Sequence, residues 1–197
     1  MKSKLCNGEV IVNVINVSSS STFTEVSQMR LPVKNHIIQW QNQGIALMAC
    51  FERYGKKGNI AFAFVKGAIV KNGAVASSWA HDHHNLMVMG TNVNDMVYSV
   101  NHLIDIQGGY CVSINENIIA CAHLPIGGIV SDAPISILGE EIVNVRQAMS
   151  EQLGYIHNNA IMSFATLSLP VSPMVKLTDK GMIIGKTLEV LPLIEGE

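Results

Sequence analysis

Leu86-Met87-Val88-Met89-Gly90-Thr91-Asn92, the stretch Val93 to Gln107 behind it, and Gly108-Gly109-Tyr110-Cys111-Val112-Ser113-Ile114 settle the fold class of this 197-residue chain. The first apolar run is short enough for a buried strand. Asn92 is placed to cap a helix in which Val93, Met96, Val97, Val100, Leu103 and Ile104 keep an i, i+3, i+4, i+7 rhythm. This stripe predicts an inward helix face, and Gly108-Gly109 stops it. Tyr110 to Ile114 and Ile118 to Ala122 then flank Asn115-Glu116-Asn117, which reads as a hairpin with a three-residue loop and Cys111 opposite Cys121. Strand, helix and hairpin in immediate succession do not follow the regular βαβ alternation of a doubly wound sheet. The expected class is α+β, a largely antiparallel mixed sheet covered by helices.

The same reading extends outward. Val10 to Val17 is a β-branched run ending in the serines 18–21, and Thr24 to Leu31 is placed to pair back with it, so residues 1–35 read as a short N-terminal β element ahead of a main domain over 36–197. Ile45 to Phe51 and Asn59 to Val65 flank a Gly55-Lys56-Lys57-Gly58 turn and predict a second hairpin. A further helix is expected from about Ile135 to Leu153, with Ile142, Val145, Met149 and Leu153 inward and Gly154 closing it. Ala165 to Val171 and Met182 to Pro192 read as extended segments around a Lys176 to Gly181 turn.

Composition narrows the function. Hydrophobic residues make up 48% of the chain, enough for a substantial core, whereas 14% are charged against an average of about 25%. That shortage of charge predicts a surface covered by another copy or a larger partner. A net charge of -2 gives no field for a phosphate backbone, so nucleic acid is not an expected partner. No apolar run approaches the roughly 20 residues that span a bilayer, and Met1-Lys2-Ser3-Lys4 leads into no signal core. A cytoplasmic protein without a membrane partner is expected, forming a homo-oligomer. The four dispersed cysteines read as reduced thiols filling the core.

The chemistry concentrates in Ser77-Ser78-Trp79-Ala80-His81-Asp82-His83-His84-Asn85. Three imidazoles, a carboxylate and a carboxamide in five residues allow three readings. His81, His83 and His84 could hold a metal, with His81 and His83 on one face of an extended segment. His81 and Asp82 could form a general acid/base pair. Asp82, His84 and Asn85 could present donors and acceptors to the edge of a planar heterocycle. The plain alternative is a loop whose histidines satisfy buried backbone groups. Cys111, Cys121 and His123 offer three zinc-type ligands without a fourth, and packing explains them as well. In Leu124 to Asp132 two glycines permit close backbone approach, and Ser131 or Asp132 could cap the next helix or face a ligand there. Glu52-Arg53 reads as an ion pair.

The His-rich loop, with its Gly90-Thr91-Asn92 exit, resembles the C-terminal domain of the adenine deaminases. So do Glu52-Arg53-Tyr54-Gly55, Phe64-Val65-Lys66-Gly67, Leu124-Pro125-Ile126, Val130-Ser131-Asp132 and Lys176-Leu177-Thr178-Asp179-Lys180-Gly181, in the same order. The resemblance covers residues from about 10 to 193, and residues 10–33 resemble the linker that follows that family's barrel. It implies an amidohydrolase context in which adenine and water give hypoxanthine and ammonia at a manganese or iron site held in a (β/α)8 barrel. This chain carries no barrel ligands, so the resemblance implies no cofactor on the chain itself. It also implies a barrel-containing partner and an adenine-like purine as ligand. By resemblance His81 and Asp82 take the catalytic motif positions and His84 and Asn85 the substrate-binding ones, with Ser131 and Asp132 beside them, in a loop expected to close over the barrel's mouth. Position 83 is usually serine in the family, and a histidine is common where Tyr54 stands.

Overall fold

The computed structural model describes residues 1–196 as an α+β fold. Ten-residue β1 (Gly8–Val17) and β2 (Thr24–Lys34) form the long hairpin expected from their β-branched text, and β3 (Ile37–Ile38) extends it. Then follow β4 (Ala46–Phe51), β5 (Ile60–Lys66), β6 (Ala74–Ser77), β7 (Leu86–Gly90), α1 (Val93–Asp105), β8 (Gly109–Ile114) and β9 (Asn117–His123). These nine strands make one sheet in the order β3-β2-β1-β5-β4-β7-β6-β8-β9. Every pairing in it is antiparallel except β1 with β5. The N-terminal hairpin thus continues the main sheet.

Helix α2 (Ile135–Gln147) passes directly into a π-helical turn, Ala148–Gln152, and is followed by α3 (Ala160–Thr166). A small antiparallel sheet of β10 (Val175–Thr178), β11 (Gly181–Ile184) and β12 (Val190–Leu191) ends the chain. Both faces of the central sheet are covered, which is why its inner strands are apolar throughout rather than alternating. One face packs Met48, Val75, Met87 and Tyr110 against Val145, Met149, Leu153 and Phe164 from the C-terminal elements. The other packs Leu47, Phe64, Ala76 and Val88 against Met96 and Leu103 of α1 and against Trp40. No helix among the described residues is long and apolar enough to cross a membrane.

Four expectations about the helices, the β8–β9 loop and their caps need correction. The buried residues of α1 are Asp95, Met96, Ser99 and Leu103, whereas Val93, Val97 and Ile104 are about half exposed. Polar anchoring turns the helix. Ser99 Oγ lies 2.6 Å from Ser113 Oγ, Ser113 donates to the Asp95 carbonyl, and the Asp95 carboxylate accepts from Glu116 N and Asn92 Nδ2. The β8–β9 loop has two residues, not three: Cys111 does face Cys121, but a bulge between Val112 and Ser113 shifts the register so that Ile114 pairs with Asn117. Asn115 and Glu116 both take positive φ, the conformation of a tight hairpin turn. Third, residues 160–166 are helical where Ala165 onward was expected to be extended; Asn159 caps this seven-residue helix by accepting from Met162 N. Finally, neither Ser131 nor Asp132 caps α2, whose N-cap position is Pro134 with no side-chain bond; Ser131 Oγ accepts from Ala133 N in a local turn instead.

Candidate functional site

The His-rich loop joins β6 to β7, neighbours in the sheet, so both ends of it are held in the core. Between them the chain turns tightly. His84 N donates to the Ala80 carbonyl at 2.6 Å, His84 takes a left-handed φ of 48°, and the His81–Asp82 peptide is cis. An extended segment would put His81 and His83 on one face, but in this turn the spacing carries no such meaning.

The imidazoles diverge. His81 packs edge-on against Trp79 with centroids 4.7 Å apart, and His84 packs against His81 at 5.8 Å. His83 turns the other way: its Nδ1 accepts from Asn85 N at 2.9 Å and its Nε2 lies 3.1 Å from the Ser168 carbonyl. The Asn85 bond requires a lone pair on Nδ1, so Nε2 carries the proton and donates to Ser168. Burial, the largest cause, holds the His83 pKa below its ordinary value. His84 is also lowered, first by burial and then by the charges of His81 and Arg53, and its Nδ1 accepts from Ala80 N. With both nitrogens of His83 engaged, the set His81, His83 and His84 is not arranged as metal ligands. Among the described residues no group of three His, Cys, Asp or Glu side chains could hold a metal ion. That covers Cys111, Cys121 and His123 as well; His123 Nε2 lies 2.8 Å from the Ile106 carbonyl.

What fixes the loop is Arg53. Its Nε donates to the His84 carbonyl and its Nη2 to the Gly127 carbonyl at 2.6 Å, so one guanidinium joins the His-rich loop to the 124–132 loop. Tyr54 Oη also donates to the His84 carbonyl, and the Arg53 guanidinium lies 5.0 Å from the Tyr54 ring centre. Below them buried Ser78 Oγ donates to the Gly128 carbonyl at 2.7 Å and accepts from Gly109 N. This junction requires glycines. A Cβ on Gly108 would lie 2.4 Å from Gly128 Cα, and one on Gly128 would lie 3.0 Å from both an Arg53 nitrogen and Ser78 Oγ.

Glu52 is not Arg53's ion-pair partner. Its carboxylate accepts from the backbone N–H groups of Tyr54, Lys56, Lys57 and Gly58, and these bonds, that from Gly58 foremost, hold its pKa below the ordinary carboxylate value. Asn85 is buried and its Nδ2 donates to Asp179 at 3.2 Å, tying the loop to the β10–β11 turn. His81, Asp82, His84 and Asn85 are therefore gathered in one turn. Ser131 and Asp132 belong to the loop that Arg53 holds beside it, but no hydrogen bond joins them to the His-rich loop among the described residues. Arg53 and Asp179 escaped the sequence reading of the site, and both stand in the family-like stretches 52–55 and 176–181, which was the available signal; Ser78 lay inside the Ser77 to Asn85 motif without a role.

A nine-stranded sheet covered on both faces, with a clamped, histidine-rich β6–β7 turn, is the arrangement of a domain that holds one polar loop at the end of its sheet. Residues 21–189 match the family model described as the adenine deaminase C-terminal domain, and the chain belongs to that family. It is 52% identical over 187 residues to an adenine deaminase of Clostridium perfringens, covering 95% of this chain and 33% of that protein. It is 48% identical to an adenine deaminase of Lactobacillus delbrueckii subsp. bulgaricus (96% and 34%), and 45% identical to adenine deaminase 2 of Shouchella clausii (97% and 33%). The chain spans about a third of the length of these relatives.

Proposed function

We propose that this domain serves adenine deamination by closing over the mouth of a metal-bearing amidohydrolase barrel, with an adenine-like purine as the substrate. The observation that carries this reading is the clamped turn at residues 81–85, in a chain that matches only a third of its adenine deaminase relatives. Asp82 is exposed and His81 and His84 are partly so, leaving them available to a partner surface, while Arg53 and the sheet below keep their backbone fixed. A lid that arrives already ordered loses little conformational entropy on closure.

A manganese or iron ion held in that barrel would supply the activation of water for attack on the purine. The residues of this chain position substrate and exclude water. His81 and Asp82 hold or move a proton at the departing amine, His84 contributes to recognition of the ring while buried Asn85 holds the turn beneath it through Asp179, and Ser131 and Asp132 line the adjoining wall. A self-contained metal hydrolase is the weaker reading, because His83 uses both ring nitrogens inside the fold.

Ammonia release from adenine tests the proposal. The isolated chain, with or without manganese or ferrous iron, is expected to give none. The same chain replacing the C-terminal third of the Clostridium perfringens enzyme restores turnover, and His81→Ala in that chimaera lowers kcat/KM by roughly 100-fold. Metal-dependent turnover by the isolated chain, or full activity of the His81→Ala chimaera, refutes it.

A further inference from the structure

Beside the His-rich loop a cleft of about 480 Å³ opens between the 52–59 loop and the β10–β11 turn, lined by His83 and Asn85 but not by His81 or His84. Its size is within the range of small-molecule sites, roughly 300–1,000 Å³. Its walls have an unusual division of labour. The floor offers one acceptor within reach: Asp179, whose Oδ1 takes a single hydrogen bond among the described residues, from Nδ2 of the buried Asn85.

The rim is cationic. Lys56, Lys57 and Lys180 line the cleft, and none forms a salt bridge among the described residues. Glu52 also lines it and stays anionic, its carboxylate held by four backbone N–H groups, so the three lysines outnumber the two carboxylates of the cleft, Glu52 and Asp179, by one. Tyr54, about half exposed, supplies a flat aromatic wall at the same edge. An acceptor floor, an aromatic wall and a lysine rim call for a planar heterocycle with an amino group at one end and an anion at the other. We infer that this cleft binds a phosphorylated amino-heterocycle of the purine nucleoside monophosphate class, its amine toward Asp179 and its phosphate toward Lys180, Lys56 and Lys57. The inference does not depend on turnover, so an active chimaera without nucleotide binding would refute this site alone.

Calorimetric titration of the 197-residue chain with adenosine 5′-monophosphate provides the test, with inosine 5′-monophosphate, adenine and inorganic phosphate as probes of its two halves. Adenosine monophosphate is expected to bind at least roughly ten-fold more tightly than each of the other three. Asp179→Asn, which still offers a carbonyl to the Asn85 amide, removes the preference over inosine monophosphate. Lys180→Ala, at the exposed rim, removes the preference over adenine. Equal affinity for the two nucleotides, equal affinity for inorganic phosphate (an adventitious ion only), or no binding of adenosine monophosphate at millimolar concentration overturns the inference. So does a Lys180→Ala protein that binds it like the parent chain.

Discussion

Replacing Arg53 by alanine should release the His-rich loop while leaving the sheet in place. The guanidinium gives two charge-assisted hydrogen bonds to carbonyls on different loops, at His84 and Gly127. Hydrogen bonds to charged groups contribute about 1.5–3 kcal/mol each, and partial exposure at the Gly127 end argues for the lower figure there. The two carbonyls regain water when freed, so the expected loss is about 3 kcal/mol, a factor of roughly 150 in the folding equilibrium. Arg53→Lys keeps the charge but a single ammonium cannot span both carbonyls with the geometry of a planar fork, so it should recover less than half of that loss. Urea denaturation gives the stability, and amide exchange at residues 81–85 shows whether the loop opens locally. Because the Arg53 charge is among the causes lowering the His84 pKa, the alanine variant should also titrate His84 closer to its ordinary value. An alanine variant within about 0.5 kcal/mol of the parent, with unchanged exchange in the loop, would refute the clamp.

Gly108→Ala would bring a Cβ within 2.4 Å of Gly128 Cα, backbone against backbone, and should cost about 3 kcal/mol or abolish soluble expression; Gly127→Ala, with open space around it, should cost only about 1 kcal/mol in the same urea titration. Asp95→Ala leaves Glu116 N–H without its acceptor at the foot of α1 and should lose about 2 kcal/mol by thermal or chemical unfolding, where an effect below about 0.5 kcal/mol would contradict the anchoring role. Burial pushes the Cys50 thiol up to about 12 and Cys121 up to about 11, and pushes Cys111 higher still, so iodoacetamide at pH 8 should modify exposed Cys6 first, with the other three labelled only on unfolding as judged by peptide mass spectrometry. The lowered His83 pKa favours the neutral ring in the folded state, so its contribution is fully present above about 6.5 and is lost as pH falls through the folded value. His83→Ser should flatten that part of the stability–pH curve, and an unchanged slope below pH 6.5 would show that His83 does not titrate against folding.

The elements with strong periodic or β-branched text were legible. The β1–β2 and β4–β5 hairpins, the cap at Asn92 and the pairing of Cys111 with Cys121 follow from local pattern, since each is decided by residues close in the chain. The rotation of α1 was not, because it depends on Ser113, which is apolar neither in type nor in role and lies on another element. An amphipathic stripe assumes that the surface beneath a helix is uniformly apolar, and here a serine on β8 drew Asp95 and Ser99 inward at the expense of Val93 and Val97. The seven-residue α3 was too short to show a period at all.

The candidate site divides in the same way. Its cluster of polar residues was visible as composition, but the turn depends on φ at His84 and on Arg53, which holds the His84 carbonyl, and the direction of the His83 ring depends on the distant Ser168 carbonyl. The His81-x-His83 spacing had meaning only for an extended chain. Once the backbone turns, the extra imidazole leaves the other two and takes up a backbone-satisfying post between Asn85 and Ser168. Sequence position 83 therefore bears on the rigidity of the loop rather than on ligand count. A serine there would have one hydroxyl and a shorter reach, so it could not hold Asn85 N and the Ser168 carbonyl through opposite sides of a ring. The chemistry presented to a partner remains with His81, Asp82 and His84, and the residues around them, Arg53 above all, determine how firmly it is presented.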